Sequence, residues 1–299
     1  DAIRDPLWSR GLGDVYKRQH LQSIKNLTTA IRIDSNLLIS THLPAHKPAD
    51  SNPSTNRRMN VSHKLTFAAT SRIVLTTFAV LTITTTAMAE IAVKEGEKIA
   101  FLGDSITQAG ARPNGYVRLA IQGLESAGVS TSAIPAGISG HKSNQMLARL
   151  ERDVLSKKPD WMTLSCGVND VWHGKRGVSL TDYKVNITKI VDQCQDAGVK
   201  VVILTSTMIG EDKDNPNNKK LATYNGFLRE LAKEKKCLLA DLNTDMQSII
   251  ETSSDKKNGK LLTSDGVHMN PDGNKMMAVG VLRAFGLNAE QVKAAQAAW

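Results

Sequence analysis

The chain has 299 residues, 41% of them apolar, and a formal net charge of +9. The charge is unevenly placed: 11 Lys and Arg face 5 Asp and Glu before residue 90, whereas 27 face 24 from residue 90 on. The later part is nearly balanced and has no basic stripe, which argues against a nucleic-acid partner. Its three cysteines lack Cys-x-x-Cys spacing, which argues against zinc and dithiol chemistry.

Residues 1–58 show no sustained apolar period and mix Arg, Lys, Asn, Ser, Thr, His and Pro. Such a segment buries too little apolar surface to offset chain entropy. It reads as disordered, or as upstream sequence ahead of a true start at Met59. From Met59 the pattern is a basic stretch (Lys64, Arg72), an apolar run at 73–81, and Ala87-Met88-Ala89 before Glu90. Residues 59–89 are therefore expected to be a secretory signal peptide. The apolar run is shorter than the ~20 residues of a spanning helix. The expected location is secreted or periplasmic, with no stable membrane span after cleavage.

From Glu90 short apolar runs alternate with helical stretches. Strands are expected at 98–102, 129–134, 161–165, 200–205 and 237–241. Helices are expected at 114–127, 144–156 with Ser143 as cap, 181–197, 219–236, 243–252 and 271–285, with a short extra one at 288–299. Pro271 suits a first helical position and Gly198 a helix stop. Strict alternation of this kind means a doubly wound parallel sheet of five strands, in one domain spanning 90–299. Cys166, Cys194 and Cys237 lie in or beside apolar runs and read as buried small hydrophobes. A Cys194–Cys237 bridge stays open.

Chemistry-bearing residues collect after the strands. Gly103-Asp104-Ser105 follows the first, and 135–141, containing Gly137 and His141, follows the second. Residues 166–173, containing Asn169, Trp172 and His173, follow the third, and Asp265-Gly266-Val267-His268 precedes the last long helix. Ligands in such sheets sit beyond the carboxyl ends of the strands. A serine hydroxyl needs a base to attack a carbonyl, and an imidazole oriented by a carboxylate is one. Ser105, His268 and Asp265 fit those roles. Negative charge on the substrate oxygen needs donors, for which the Ser105 and Gly137 amides and the Asn169 side chain are candidates. Asp104, His141, Trp172 and His173 are candidates for a substrate-binding rim.

Taken together, the four blocks resemble the SGNH hydrolases, or GDSL esterases and lipases, over about residues 98–285. The resemblance implies a flavodoxin-like three-layer α/β/α sandwich. It implies Ser105 as nucleophile, His268 as base, Asp265 as its orienting acid, and Ser105, Gly137 and Asn169 as oxyanion hole, with no metal or organic cofactor. One position departs: the family's glycine block often has asparagine two residues before the glycine, where this chain has Pro135, so a changed loop shape is expected. The expected activity is hydrolysis of short esters, chiefly acetyl, on a small-molecule or glycan substrate. A thioesterase or lysophospholipase is the alternative, and a non-catalytic carbohydrate-binding protein on the same scaffold a third reading.

Overall fold

The computed structural model describes residues 90–254 and 260–299. The expected upstream extension at 1–58 and signal peptide at 59–89 lie outside the described residues. Five parallel strands form one sheet: β1 (Lys98–Gly103), β2 (Ser132–Gly137), β3 (Trp161–Ser165), β4 (Lys200–Leu204) and β5 (Leu238–Ala240). Their order is β2-β1-β3-β4-β5, with every neighbouring pair parallel. The three inner strands are buried along almost their whole length. That is why they read as continuous apolar runs rather than alternating ones.

Helices cover both faces. On one, α2 (Tyr116–Ser126) packs against α9 (Pro271–Ala284) and α10 (Ala289–Ala297), and α9 also packs on α8 (Leu242–Thr252). On the other, α6 (Leu180–Asp196) packs against α3 (Ser143–Ala148) and α7 (Pro216–Glu234). The result is the expected three-layer α/β/α sandwich with a five-stranded parallel sheet. Side-chain caps fix the helix starts: Ser179 for α6, Asn215 before Pro216, and Asn270 before Pro271. All three cysteines are free thiols.

The strand order reverses between β1 and β3, so the crevice beyond their carboxyl ends is the natural ligand site. Two short helices begin there, neither of them expected from the sequence: α1 (Ser105–Gly110) after β1 and α5 (Val168–Trp172) after β3. Both are too short to show an apolar period.

Two further differences have physical causes. β2 starts three residues later than its apolar content implies, because it is an edge strand and mostly only part-buried. It can hold Pro135 because Ile138 N donates to Gly103 O. Amides two residues apart point the same way, so position 135 faces the open edge, where a missing N–H breaks no bond. The helix expected at 144–156 is broken into α3, α4 (Leu150–Asp153) and a 3-10 turn at Leu155–Lys157. The break falls at Arg149, whose side chain turns inward and is only 4% exposed. Ser143 is not the cap but the first residue of α3, and its hydroxyl donates to Asp170 at 2.6 Å.

Gly137 closes β2 against α1. An added Cβ there would lie 2.3 Å from Gln108 N and 2.7 Å from Thr107 C, both backbone atoms of α1. Gly137→Ala should therefore push α1 away from the sheet, destabilise the protein by about 1–3 kcal/mol and lower turnover of a simple ester. Urea unfolding and esterase assays check this, and unchanged values in both would show that α1 moves freely.

Candidate active site

The fold brings Ser105 and His268, 163 residues apart in sequence, into contact: Ser105 Oγ lies 2.9 Å from His268 Nε2. On the other side of the ring, His268 Nδ1 lies 2.6 Å from Asp265 Oδ2. The second carboxylate oxygen, Asp265 Oδ1, accepts from Val267 N at 2.9 Å and His268 N at 2.8 Å. Gly266, at φ +95°, makes that tight turn possible. Burial opposes ionisation of Asp265, but the His268 ring and the two amides outweigh it and hold the carboxyl down at about 2. Asp265 is thus an anion at any pH where His268 could act as base.

Glu211, which the sequence did not single out, anchors this turn. Its carboxylate accepts from the amides of Leu261 (2.6 Å), Leu262 (2.8 Å) and Thr263 (2.7 Å) and from the Thr263 hydroxyl (2.8 Å). The neighbouring Gly210 N donates to Gly266 O. Glu211 holds the chain immediately before Asp265 without reaching the reacting atoms.

Asp104 is the last residue before α1. Its Oδ1 accepts from Ile106 N at 2.9 Å and caps the helix that starts at Ser105. Its Oδ2 accepts from Asn169 Nδ2 at 3.1 Å. Asp104 is therefore a positioning group beneath the serine rather than a surface contact for substrate. Burial pushes its carboxyl up to about 6, helped by the negative Asp170, against the Ile106 amide and His268.

Asn169 also donates to His141 O, at 3.2 Å. Both of its amide hydrogens are therefore committed, one to Asp104 and one to the loop after β2. Asp170 pins the same loop from below, accepting from the amide and hydroxyl of Ser143. Ser139 N donates to Gln108 Oε1 at 3.1 Å, tying the loop to α1. Arg149 ties it to the sheet. Its guanidinium donates to Gly103 O and Ala136 O, each at 2.8 Å, and to His141 Nδ1 at 3.1 Å.

The structure does not place the Gly137 amide at the site. In the pairing of Gly103 with Gly137, the amide bonded to β1 belongs to Ile138, so that of Gly137 points to the open edge. Lack of a side chain does permit close approach here, but what approaches is α1. Gly140 is the better candidate. It sits at φ +75° in the turn closed by His141 N donating to Ile138 O. Its amide donates to no group among the described residues, and a Cβ there would meet nothing within 4 Å. Of the four rim candidates, His141 and His173 flank Asn169, the latter through Nδ1 at 2.9 Å from Asn169 O. Trp172 stands beside His173 and is 45% exposed.

The arrangement can deliver a serine oxygen to an ester carbonyl while the imidazole takes the proton. Two outcomes test how it is held. Glu211→Gln puts an amide N–H against backbone N–H groups and should lower turnover about tenfold while the Ser105 hydroxyl stays intact. Loss of solubility or wild-type turnover would contradict a positioning role. For Asp104, a carboxyl titrating near 6 when folded, against 3.8 ordinarily, means the native state holds more protons between those values. Stability from this group is therefore full below pH 4 and falls by about 3 kcal/mol as pH rises past 6. Asp104→Asn lacks that fall, so urea midpoints of variant and wild type should shift relative to each other, in the variant's favour, between pH 4 and 7. A constant difference would mean that Asp104 titrates normally.

Comparison with known proteins bears on this geometry. Residues 101–276 match the model of the GDSL-like Lipase/Acylhydrolase family. The crystal structure of the acetyl xylan esterase AlAXEase is similar at 35% sequence identity and a TM-score of 0.60, covering 62% of this chain and 98% of that one. An acetylxylan esterase from Geobacillus stearothermophilus is 27% identical over 211 residues, 64% of this chain and 94% of that protein. An uncharacterized lipoprotein, YqeF, of Bacillus subtilis (strain 168) is 24% identical over 166 residues, 48% of this chain and 67% of that protein. Gly103-Asp104-Ser105, Asn169 and the Asp265–His268 turn all lie within the matched range. The chain belongs to the GDSL-like lipase/acylhydrolase family and is a carboxylic ester hydrolase.

Proposed function

We propose that this protein is an exported serine esterase that removes acetyl groups from carbohydrate hydroxyls through an acyl-enzyme on Ser105. The observation that carries the reading is the unbroken relay Asp265–His268–Ser105, at 2.6 and 2.9 Å. The likeness to acetylxylan esterases supports the acetyl group and the carbohydrate. The signal-peptide pattern at 59–89, together with a lipoprotein relative, supports export.

In the first half-reaction Ser105 Oγ attacks the acetyl carbonyl carbon while its proton passes to His268 Nε2. The oxyanion is met by the Ser105 and Gly140 amides. The Asn169 side chain joins them by giving up its bond to His141 O, because an anion is the stronger acceptor. His268 then protonates the leaving sugar oxygen, and the C–O bond to the sugar breaks. In the second half-reaction His268 takes a proton from water. The water oxygen attacks the acetyl-serine carbonyl, the bond from that carbon to Ser105 Oγ breaks as His268 returns the proton to Ser105, and acetic acid leaves and ionises to acetate. Asp265 holds the imidazole tautomer and steadies the imidazolium in both halves.

The test is acetate release from acetylated xylo-oligosaccharides and other acetylated glycans by the full chain and by its Ser105→Ala variant. Release by the wild type that drops at least about 10³-fold in the variant is expected. A nitrophenyl ester series should favour acetate over chains of eight or more carbons. Absence of glycan deacetylation together with a steep rise for long chains would replace this reading with that of a lysophospholipase or thioesterase. Failure of a fluorophosphonate to label Ser105 in the folded protein would remove the acyl-enzyme.

A further inference from the structure

Two histidines flank Asn169, and their partners give them opposite protonation patterns. His141 Nδ1 lies 3.1 Å from Arg149 Nε. A guanidinium nitrogen only donates, so His141 Nδ1 holds a lone pair and its ring carries the proton on Nε2. Burial and the Arg149 charge both keep the His141 ring neutral, lowering its pKa. His173 is the reverse. Its Nδ1 lies 2.9 Å from the carbonyl oxygen of Asn169, which only accepts, so Nδ1 carries the proton. In the neutral ring Nε2 is then an acceptor. Neither Nε2 atom has a hydrogen-bond partner among the described residues, and both rings are part-exposed. The rim thus offers one N–H donor and one nitrogen acceptor, on either side of Asn169.

Trp172 adds a flat apolar surface. Its ring lies 6.0 Å from that of His173, centroid to centroid. α5 buries Val168 and Val171, at 4% and 2% exposure, whereas Trp172 stays 45% exposed. It is the one exposed large aromatic side chain among the described residues. A pyranose has the complementary chemistry: a face of C–H groups for the indole, and neighbouring hydroxyls that both donate and accept.

We propose that Trp172, His141 and His173 form a glycan subsite for the sugar that bears the ester. Trp172 stacks on the pyranose ring, His141 Nε2–H donates to one hydroxyl, and His173 Nε2 accepts from another. The subsite rests on the carbohydrate-ester reading above. It goes further in assigning the recognition to three residues and the donor and acceptor roles to two fixed tautomers. Arg149 is here a positioning residue, because its Nε–H sets which ring nitrogen of His141 is the donor.

The experiment compares kcat/KM on an acetylated xylo-oligosaccharide with that on 4-nitrophenyl acetate, which has no sugar, and takes the ratio. The variants are Trp172→Ala, His141→Asn and His173→Asn. Asparagine keeps an acceptor for Arg149 at 141 and a donor for Asn169 O at 173, so the bonds holding the loops survive while each Nε2 is lost. The glycan-to-nitrophenyl ratio should fall about tenfold in Trp172→Ala and about two- to tenfold in each histidine variant, mainly through KM. An unchanged ratio in all three variants overturns the subsite and leaves the deacetylase reading standing. A wild-type protein that hydrolyses 4-nitrophenyl acetate but releases no acetate from any acetylated glycan overturns both.

Discussion

The Ser105–His268 hydrogen bond is the constraint on which the rest of the site depends, since it joins two segments with no local reason to meet. Each end is held by its own machinery. At the serine end, β1 runs buried to Gly103. Asp104 caps α1, and Gly137 lets α1 sit directly on the end of β2. At the histidine end, the Gly266 turn folds Asp265 onto the ring, and Glu211 grips the chain before it by three backbone amides. An error of about 1 Å at either end would part the two atoms, and near-attack geometry tolerates little of that.

Holding those ends places charges where the solvent cannot reach. Asp104, Asp170 and Arg149 are all nearly or fully buried under the rim. Among the described residues only Arg149 of these three has an ion-pair partner, Asp153. Arg149 meets two strand-end carbonyls, an imidazole nitrogen and the half-buried Asp153. Asp170 meets the amide and hydroxyl of Ser143 and the thiol of Cys166. Dipoles fixed in this way offset the desolvation of the two carboxyls only in part, so burial leaves both Asp104 and Asp170 raised. The same dipoles fix the loop carrying Gly140 and His141. The thiols fit the same picture: burial pushes Cys166 well up, so it serves as a weak donor to Asp170 rather than as a nucleophile.

What was legible in the sequence follows from what each residue must satisfy on its own. β1, β3 and β4 are buried on both faces, so their apolar runs have no other reading. β2 lies at an edge, where part-burial blurs the apolar signal, and it runs three residues beyond the expected strand. Ser105, Asp265 and His268 were legible because attack on a carbonyl demands those functional groups and the Asp-x-x-His turn can bring the last two together. Gly137, which ends β2, and Gly140 just beyond it look alike in composition. Which amide is free depends on strand register at Gly137 and on the turn at Gly140, and both are tertiary facts. Arg149 and Glu211 carry no signal at all in one dimension. A charged residue within a helical pattern or a polar loop looks like a solvated one until the fold buries its partners around it.

In the proposed mechanism the oxyanion donors are preorganised unequally. The amides of Ser105 and Gly140 belong to backbone held by α1 and by a closed turn, so they await charge without moving. Asn169 is different: its second amide hydrogen already rests on His141 O, at 3.2 Å. Recruiting it to the oxyanion exchanges a bond to a neutral carbonyl for one to an anion, a gain that exists only once negative charge has developed. Ground-state substrate, with a neutral carbonyl oxygen, has no such advantage over His141 O. In the proposed reaction the exchange therefore favours the transition state over bound substrate and releases the His141 backbone as charge appears. Since His141 is also the residue whose ring Arg149 contacts, the proposed acyl-transfer step and the proposed sugar contact meet in a single residue of the loop.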